Sequence, residues 1–408
     1  MTDFTRRQVL ATGTTLAVSL ASSDLYAQRS YDPGVSDNEI KIGHTSPYSG
    51  PLSAFGTAGL ATTAYFNMIN AAGGLNGRKI TFITHDDAYS PAKTVEMVRK
   101  LVESDEVLLI FALLGTPTNS AVRKYLNDKK VPQLFIFTGA SKFGDPRNFP
   151  WTMGWQPDFA TEGGVYAKHI LATNRDAKIA LLYQNDDSGK DGASGFQKAL
   201  GKENEKMIVG MSTYDVADPT IDSQIVLLKN SGANVFVNLS SPKFAAQGIR
   251  KAHVLGWRPV QYLTSPSSSV QAVMKPAGFE AGQDIMTIAY LKDATDPQWA
   301  TDPEFLEWKR WMEKWNPTAS TADYLNVYAY AISATLVEVL KRCGDDLTRA
   351  NIMKQASNLR GLRVPMLLPG ITINTSPTDF YPIQAFRLAR FKGEAWELFG
   401  DVVSNESS

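Results

Sequence analysis

The sequence predicts an α/β protein built from two doubly wound lobes. A strand–helix alternation runs from residue 39 to 137 and then restarts near residue 158. Strands separated by helices of that length form a parallel sheet covered on both faces. The chain has 408 residues, enough for two domains of ordinary size.

The elements follow in order. Residues 39–43, Glu-Ile-Lys-Ile-Gly, alternate as a strand does. Residues 57–72 read as a helix that stops at Gly73-Gly74. A strand is predicted over 79–83, a helix opened by Pro91 runs to about 104, and 107–111 is a buried-type strand. Pro117 opens a helix to about 129, and 133–137 is the next strand. The second unit begins with a helix over 158–172, a strand over 178–183 and a helix over 189–200. Strands near 207–213, 235–239 and 260–263 follow, separated by helices near 222–230 and 242–255. Residues 149–157 read as an inter-lobe strand. The remainder departs from the repeat: a strand over 285–291, helices near 303–315, 322–342 and 347–357, and β-type segments over 383–391 and 396–403. Phe305, Trp308, Trp311, Met312 and Trp315 recur at helical spacing and read as a core stripe.

Composition excludes several classes. Hydrophobic residues make up 43% and charged residues 20%, as in ordinary globular proteins. Lys+Arg and Asp+Glu both number 41, so no bulk field draws in nucleic acid. Cys343 is the single cysteine, which rules out an intramolecular disulfide and thiolate-rich metal sites. Residues 1–27 read as a twin-arginine-type export signal. Arg6-Arg7 precede a modest apolar run, and Leu25-Tyr26-Ala27 ends in a small residue suited to cleavage. The mature protein is therefore expected outside the cytoplasm.

No phosphate loop, H-E-x-x-H or G-x-S-x-G motif occurs, and the histidines are scattered, so no cofactor, metal or catalytic residue is expected. Asp86-Asp87 and Asp186-Asp187 follow predicted strands, where Asp usually caps the next helix. Ligands in open α/β sheets bind beyond the carboxyl ends of the strands. The first-lobe loops there are residues 46–56, 113–119 and 138–141, small, hydroxyl-rich and set before helices. Amides at helix N-termini beside Ser or Thr hydroxyls suit an anion such as a carboxylate. Phe55 offers an apolar face above it.

These residues resemble the branched-chain amino-acid-binding (Leu/Ile/Val type) periplasmic proteins from about residue 39 to 403. The carriers are residues 43–56 with Ser49-Gly50-Pro51, the run Ile-Asn-Ala-Ala-Gly-Gly-Leu-Asn-Gly over 69–77, Asp86-Asp87 before Tyr89-Ser90-Pro91, and Gly139-Ala140-Ser141. The resemblance implies a type I periplasmic-binding-protein fold, two lobes joined by a three-crossing hinge. The crossings are expected near 151–157, 284–290 and 364–371. The first lobe would comprise 37–155 plus 285–364, the second 156–284 plus 365–404. It further implies a carboxylate site from Gly115, Thr116, Ala140 and Ser141, a lid from Phe55, and second-lobe contacts from Ser188, Ser241, Lys243 and Ser265. Leucine-type binders hold the α-amino group with tyrosines and a glutamate where this chain has serines, so no carboxylate facing an ammonium is expected. Tyr89 and Leu114 stand where the family's first-lobe cysteines would be.

The function expected is capture of an amino acid or related small carboxylate by lobe closure, as the extracytoplasmic component of an ABC importer. The partners expected are the ligand and membrane permease subunits, with no nucleic acid and a monomeric state. A binder of aromatic or other carboxylates lacking an α-amino group, and a sensory receptor of the same fold, are the alternatives. An enzyme would need a nucleotide fingerprint or nucleophile, and an adaptor would show no stabilisation by small molecules.

Overall fold

A computed structural model describes residues 30–404. The expected export signal over residues 1–27 lies outside the described residues.

The first sheet has five strands, in the order β3-β2-β4-β5-β6. Chain order in this lobe is β1 (Ser30–Tyr31), β2 (Glu39–Ser46), α1 (Gly56–Ala71), β3 (Lys79–Asp86), α2 (Pro91–Glu103), β4 (Leu109–Phe111), α3 (Thr116–Asp128), β5 (Gln133–Ile136) and β6 (Thr152–Gly154). All pairings in it are parallel. Its central strands are buried on both faces, as helical cover requires.

The second unit contains α4 (Phe159–Thr173), β7 (Ile179–Gln184), α5 (Asp187–Leu200), β8 (Ile208–Tyr214), α6 (Asp222–Asn230), β9 (Val235–Leu239), α7 (Pro242–Val254), β10 (Val260–Leu263), the short α8 (Lys275–Ala277) and β11 (Met286–Ala289). The chain then gives α9 (Pro303–Trp315), α10 (Tyr324–Cys343), β12 (Asp346–Leu347), α11 (Arg349–Ala356), β13 (Ala385–Lys392) and β14 (Ala395–Ser404). The second sheet has seven strands ordered β14-β13-β11-β10-β9-β7-β8. Its last two strands join antiparallel.

Two expected boundaries change. Residues 285–291, expected in the first lobe, belong elsewhere: β11 pairs in parallel with β10 and antiparallel with β13. The strand completes the second sheet, and the chain crosses only after it. Residues from 365 onward are expected in the second lobe, yet 371–375 still lie against α11. There Leu359 N–H donates to Thr375 Oγ1, which donates to the Ala356 carbonyl. The second sheet is entered at β13.

The tail helices return to the first lobe. Trp311 of α9 and Tyr330 of α10 pack with Tyr65 of α1, ring centroids 4.9 to 6.4 Å apart. Trp308, Trp311 and Met312 are buried as the stripe predicts, and α10 is buried along nearly its whole length. Cys343 is buried, and burial pushes its thiol up to about 12, which leaves it unreactive.

Glycines set how closely the second-lobe helices meet. A Cβ on Gly163 of α4 would lie 2.2 Å from the Gly192 carbonyl oxygen of α5. A Cβ on Gly195 would lie 2.2 Å from the Ala160 carbonyl oxygen. Only residues without side chains permit that approach, and it brings the N-terminal ends of α4 and α5 together at one edge of the sheet.

Candidate ligand cleft

A cleft with about 670 Å³ of empty space, open solvent at its mouth included, lies between the lobes. That is within the usual size for a small-molecule site. Its walls come from the carboxyl ends of strands and the starts of helices, as the open-sheet rule requires. The first lobe contributes Leu52, Phe55, Tyr89, Leu114, Thr116, Phe137 and Thr138. The second contributes Phe159 and Glu162 of α4, Gln184 at the end of β7, Ser188 of α5, and Leu239 to Ser241 after β9. Gln156, in the crossing, lies between them.

Apolar rings form one side. Phe55 meets Phe137 edge-on with centroids 5.8 Å apart. Phe137 stacks on Tyr328 of α10 at 4.0 Å, and Tyr328 meets Trp155 at 5.1 Å. Trp155 in turn donates to Thr335 Oγ1 at 3.0 Å. The floor is thus a rigid aromatic stack anchored on the buried helix α10.

The polar side is built at the start of α3. Its N-cap, Gly115, supplies no side-chain acceptor, and Pro117 follows in the first turn. Gly115 has φ of 101°, and a Cβ there would lie 2.4 Å from Tyr89 Cε2, so only glycine fits. Thr116 and Thr138 share a hydrogen bond of 2.6 Å between hydroxyls. Thr138 also accepts from the Ala140 N–H at 3.2 Å. Each hydroxyl carries one proton. If Thr138 donates to Thr116, the Thr116 proton is left for an acceptor in the cleft, beside the positive end of α3. Of the other helices that open here, α4 is capped by Asp158 and α5 by Asp186, which accepts from Ser188 and Gly189, whereas α1 and α7 start without a side-chain cap.

Among the expected site residues, Phe55, Gly115, Thr116, Ser188 and Ser241 line the cleft. Four others do not. Ser141 donates its N–H, at 2.8 Å, and its hydroxyl to Asp191 of α5. Its carbonyl accepts from Tyr381. It therefore holds a carboxylate of the protein. Ala140 turns inward ahead of it and packs with Ile136 and Phe143. Lys243 directs its ammonium to the Asp218 carbonyl, 3.3 Å away, over the Phe244 ring. Ser265 is tied to Glu162 through its N–H and hydroxyl.

One carboxylate does line the cleft, that of Glu162, which is 1% exposed. It occupies the first turn of α4, where a glutamate reads from sequence only as a helix-dipole partner. Its oxygens accept from Tyr166 Oη at 2.6 Å, from Ser265 N–H at 2.6 Å and from Ser265 Oγ at 3.1 Å, with the Thr264 hydroxyl also against it. Burial pushes its carboxyl up to about 7, against these donors. Glu162 is thus consumed in bracing the loop after β10. Gln156 was also missed; its Oε1 is buried without a partner, and the amide can turn either end to a ligand. The positions expected to replace the family's cysteines, Tyr89 and Leu114, both line the cleft.

Two hinged α/β lobes sharing a cleft of this kind define a solute-binding protein, in which a ligand is enclosed rather than converted. The chain belongs to the periplasmic binding protein family, whose model matches residues 39–395. It is 24% identical over 277 residues to the Leu/Ile/Val-binding protein homolog 7 of Brucella suis, covering 65% of this chain and 67% of the relative. In structure it is similar to a branched-chain amino acid ABC transporter protein of Thermus thermophilus with bound valine. The TM-score is 0.82 at 15% identity, covering 91% of this chain and 98% of the other. It is likewise similar to an ABC transporter solute-binding protein of R. palustris in complex with benzoate. There the TM-score is 0.75 at 19% identity, covering 90% and 98%.

Proposed function

We propose that the cleft takes a small carboxylate with an apolar, ring-sized body and no α-ammonium. The supporting observation is the hydroxyl relay ending at Thr116, set against the full commitment of Glu162. With Thr138 donating to Thr116, an anionic group finds the Thr116 proton free beside the start of α3, which has no side-chain cap. An ammonium finds no free acid: Glu162 accepts from Tyr166, Ser265 and Thr264, and it is the one acidic side chain among the residues lining the cleft. A buried ammonium without an anionic partner is costly. The aromatic walls receive the body of the ligand.

In this reading the protein collects its ligand outside the cytoplasm after export by the twin-arginine route. It closes over the ligand and presents the closed form to the permease of an ABC importer. The ligands held by the two structural neighbours, valine in one and benzoate in the other, support a carboxylate in general.

Calorimetric titration with matched pairs tests this. Benzoate is compared with phenylalanine, and isovalerate with valine. The carboxylates lacking the amine are expected to bind and the amino acids to bind at least about tenfold more weakly, the effect of one unmet charge contact. Tighter binding of the amino acids would overturn the assignment and make Glu162 the ammonium partner.

A further inference from the structure

A second depression, sharing no lining residue with the cleft, lies between the loop after β5 and the segment that leads into β13. Arg123, Lys142, Arg147, Thr378 and Tyr381 stand on its walls, around about 1090 Å³ of space open to solvent.

Arg123, on α3, is only 7% exposed. Its guanidinium carbon lies 3.5 Å from the Phe149 ring centroid and 5.1 Å from that of Phe143. Those rings occupy the faces of the guanidinium and leave its N–H groups unanswered. Nε and Nη2 are buried and have no hydrogen-bond partner. Among the described residues no carboxylate comes within ion-pair distance of it. Asp145, the acid whose field it feels, spends its oxygens on the N–H and Nδ2 of Asn148. Burial lowers the guanidinium's pKa to about 10, with Asp145 opposing the fall. Lys142 is engaged by Asp187 at 2.5 Å, whereas Arg147 is exposed at the rim. Buried charged donors left unmet are costly, and a planar fork of donors matches an oxyanion in particular.

We propose that this depression is a second binding site, for an oxyanion of carboxylate or phosphate type, held by the Arg123 fork with Arg147 at its rim. One wall is a first-lobe loop and the other is the connecting segment carrying Tyr381, whose hydroxyl donates to the Ser141 carbonyl at 2.6 Å. A bound anion would therefore brace the seam between them.

The test is thermal unfolding of the full chain in sodium phosphate and in sodium acetate, each against sodium chloride at equal ionic strength. A melting temperature raised by phosphate alone assigns a tetrahedral anion, and one raised by acetate alone assigns a carboxylate. Because acetate is also a carboxylate of the kind proposed for the cleft, its response is repeated in Thr116→Val, where the second site is intact. Arg123→Lys keeps the charge but loses the fork, and should weaken the anion's midpoint at least about tenfold. Arg147→Gln, at an exposed position, should weaken it by a smaller factor. No shift beyond the chloride control, or an unchanged midpoint in both variants, would overturn the proposal.

Discussion

Ser141 of the first lobe donates its backbone N–H to Asp191 of α5 at 2.8 Å, with its hydroxyl bonded to the same carboxylate. This pair joins the lobes beside the cleft. Lys142 with Asp187 at 2.5 Å, and Tyr89 Oη with Asp186 Oδ2 at 3.5 Å, repeat the pattern. The start of α5 and its N-cap thus offer three carboxylates to three first-lobe groups across the edge of the cleft.

Asp191→Ala should therefore disfavour closure. Charge-assisted hydrogen bonds contribute roughly 1.5–3 kcal/mol each, so benzoate affinity should fall by about tenfold or more, chiefly through faster release. Stopped-flow measurement of release checks this; an unchanged rate would mean that the pair plays no part in holding the lobes shut.

Thr116→Val removes the free proton while keeping the shape of the side chain. A hydrogen bond to a charged group contributes about 1.5–3 kcal/mol, so benzoate should bind tenfold to a hundredfold more weakly. The melting temperature without ligand should also fall somewhat, because the buried Thr138 hydroxyl loses its partner. Ser141→Ala leaves the Ser141 N–H in place and should have a smaller effect on calorimetric affinity.

Glu162 makes stability depend on pH. Its carboxyl holds its proton up to about 7 when folded, against an ordinary value of 4.5. Between those values the native state binds more protons than the unfolded state, so stability falls as pH rises. The contribution is fully present below pH 4.5 and is lost through pH 7, a total of about 3 kcal/mol. Glu162→Gln should remove that slope in urea unfolding series between pH 4.5 and 7.5. An identical slope in the variant would refute the account of Glu162.

Gly163→Ala places a methyl against the Gly192 carbonyl. Overpacking at a backbone contact costs about 1–3 kcal/mol. Calorimetric melting should show a loss of that order, with benzoate affinity reduced because α4 and α5 carry Glu162 and Ser188 into the cleft.

The alternation of strands and helices was legible because each element carries its own periodicity and punctuation. Which sheet a strand joins is not a local property, and β11 went to the second sheet because it pairs with β10 and β13. The same divide separates the site residues. Phe55, Gly115, Thr116, Ser188 and Ser241 stand where strands end and helices begin, so topology alone delivered them to the cleft. Ser141 lies three residues past Thr138, at the start of the turn that buries Phe143, and only the docked α5 reveals its partner. Lys243 and Ser265 are likewise claimed by Asp218 and Glu162, groups distant in sequence. Thr138 follows its strand directly and was within reach of the same topological argument. Glu162 was not, because a glutamate in the first turn of a helix is ordinarily solvated.

Closure over the cleft is measured most directly by small-angle X-ray scattering of the protein with and without saturating benzoate. The radius of gyration is expected to fall when benzoate is added, and Asp191→Ala should blunt the change. Calorimetrically demonstrated binding with an identical scattering profile would contradict closure.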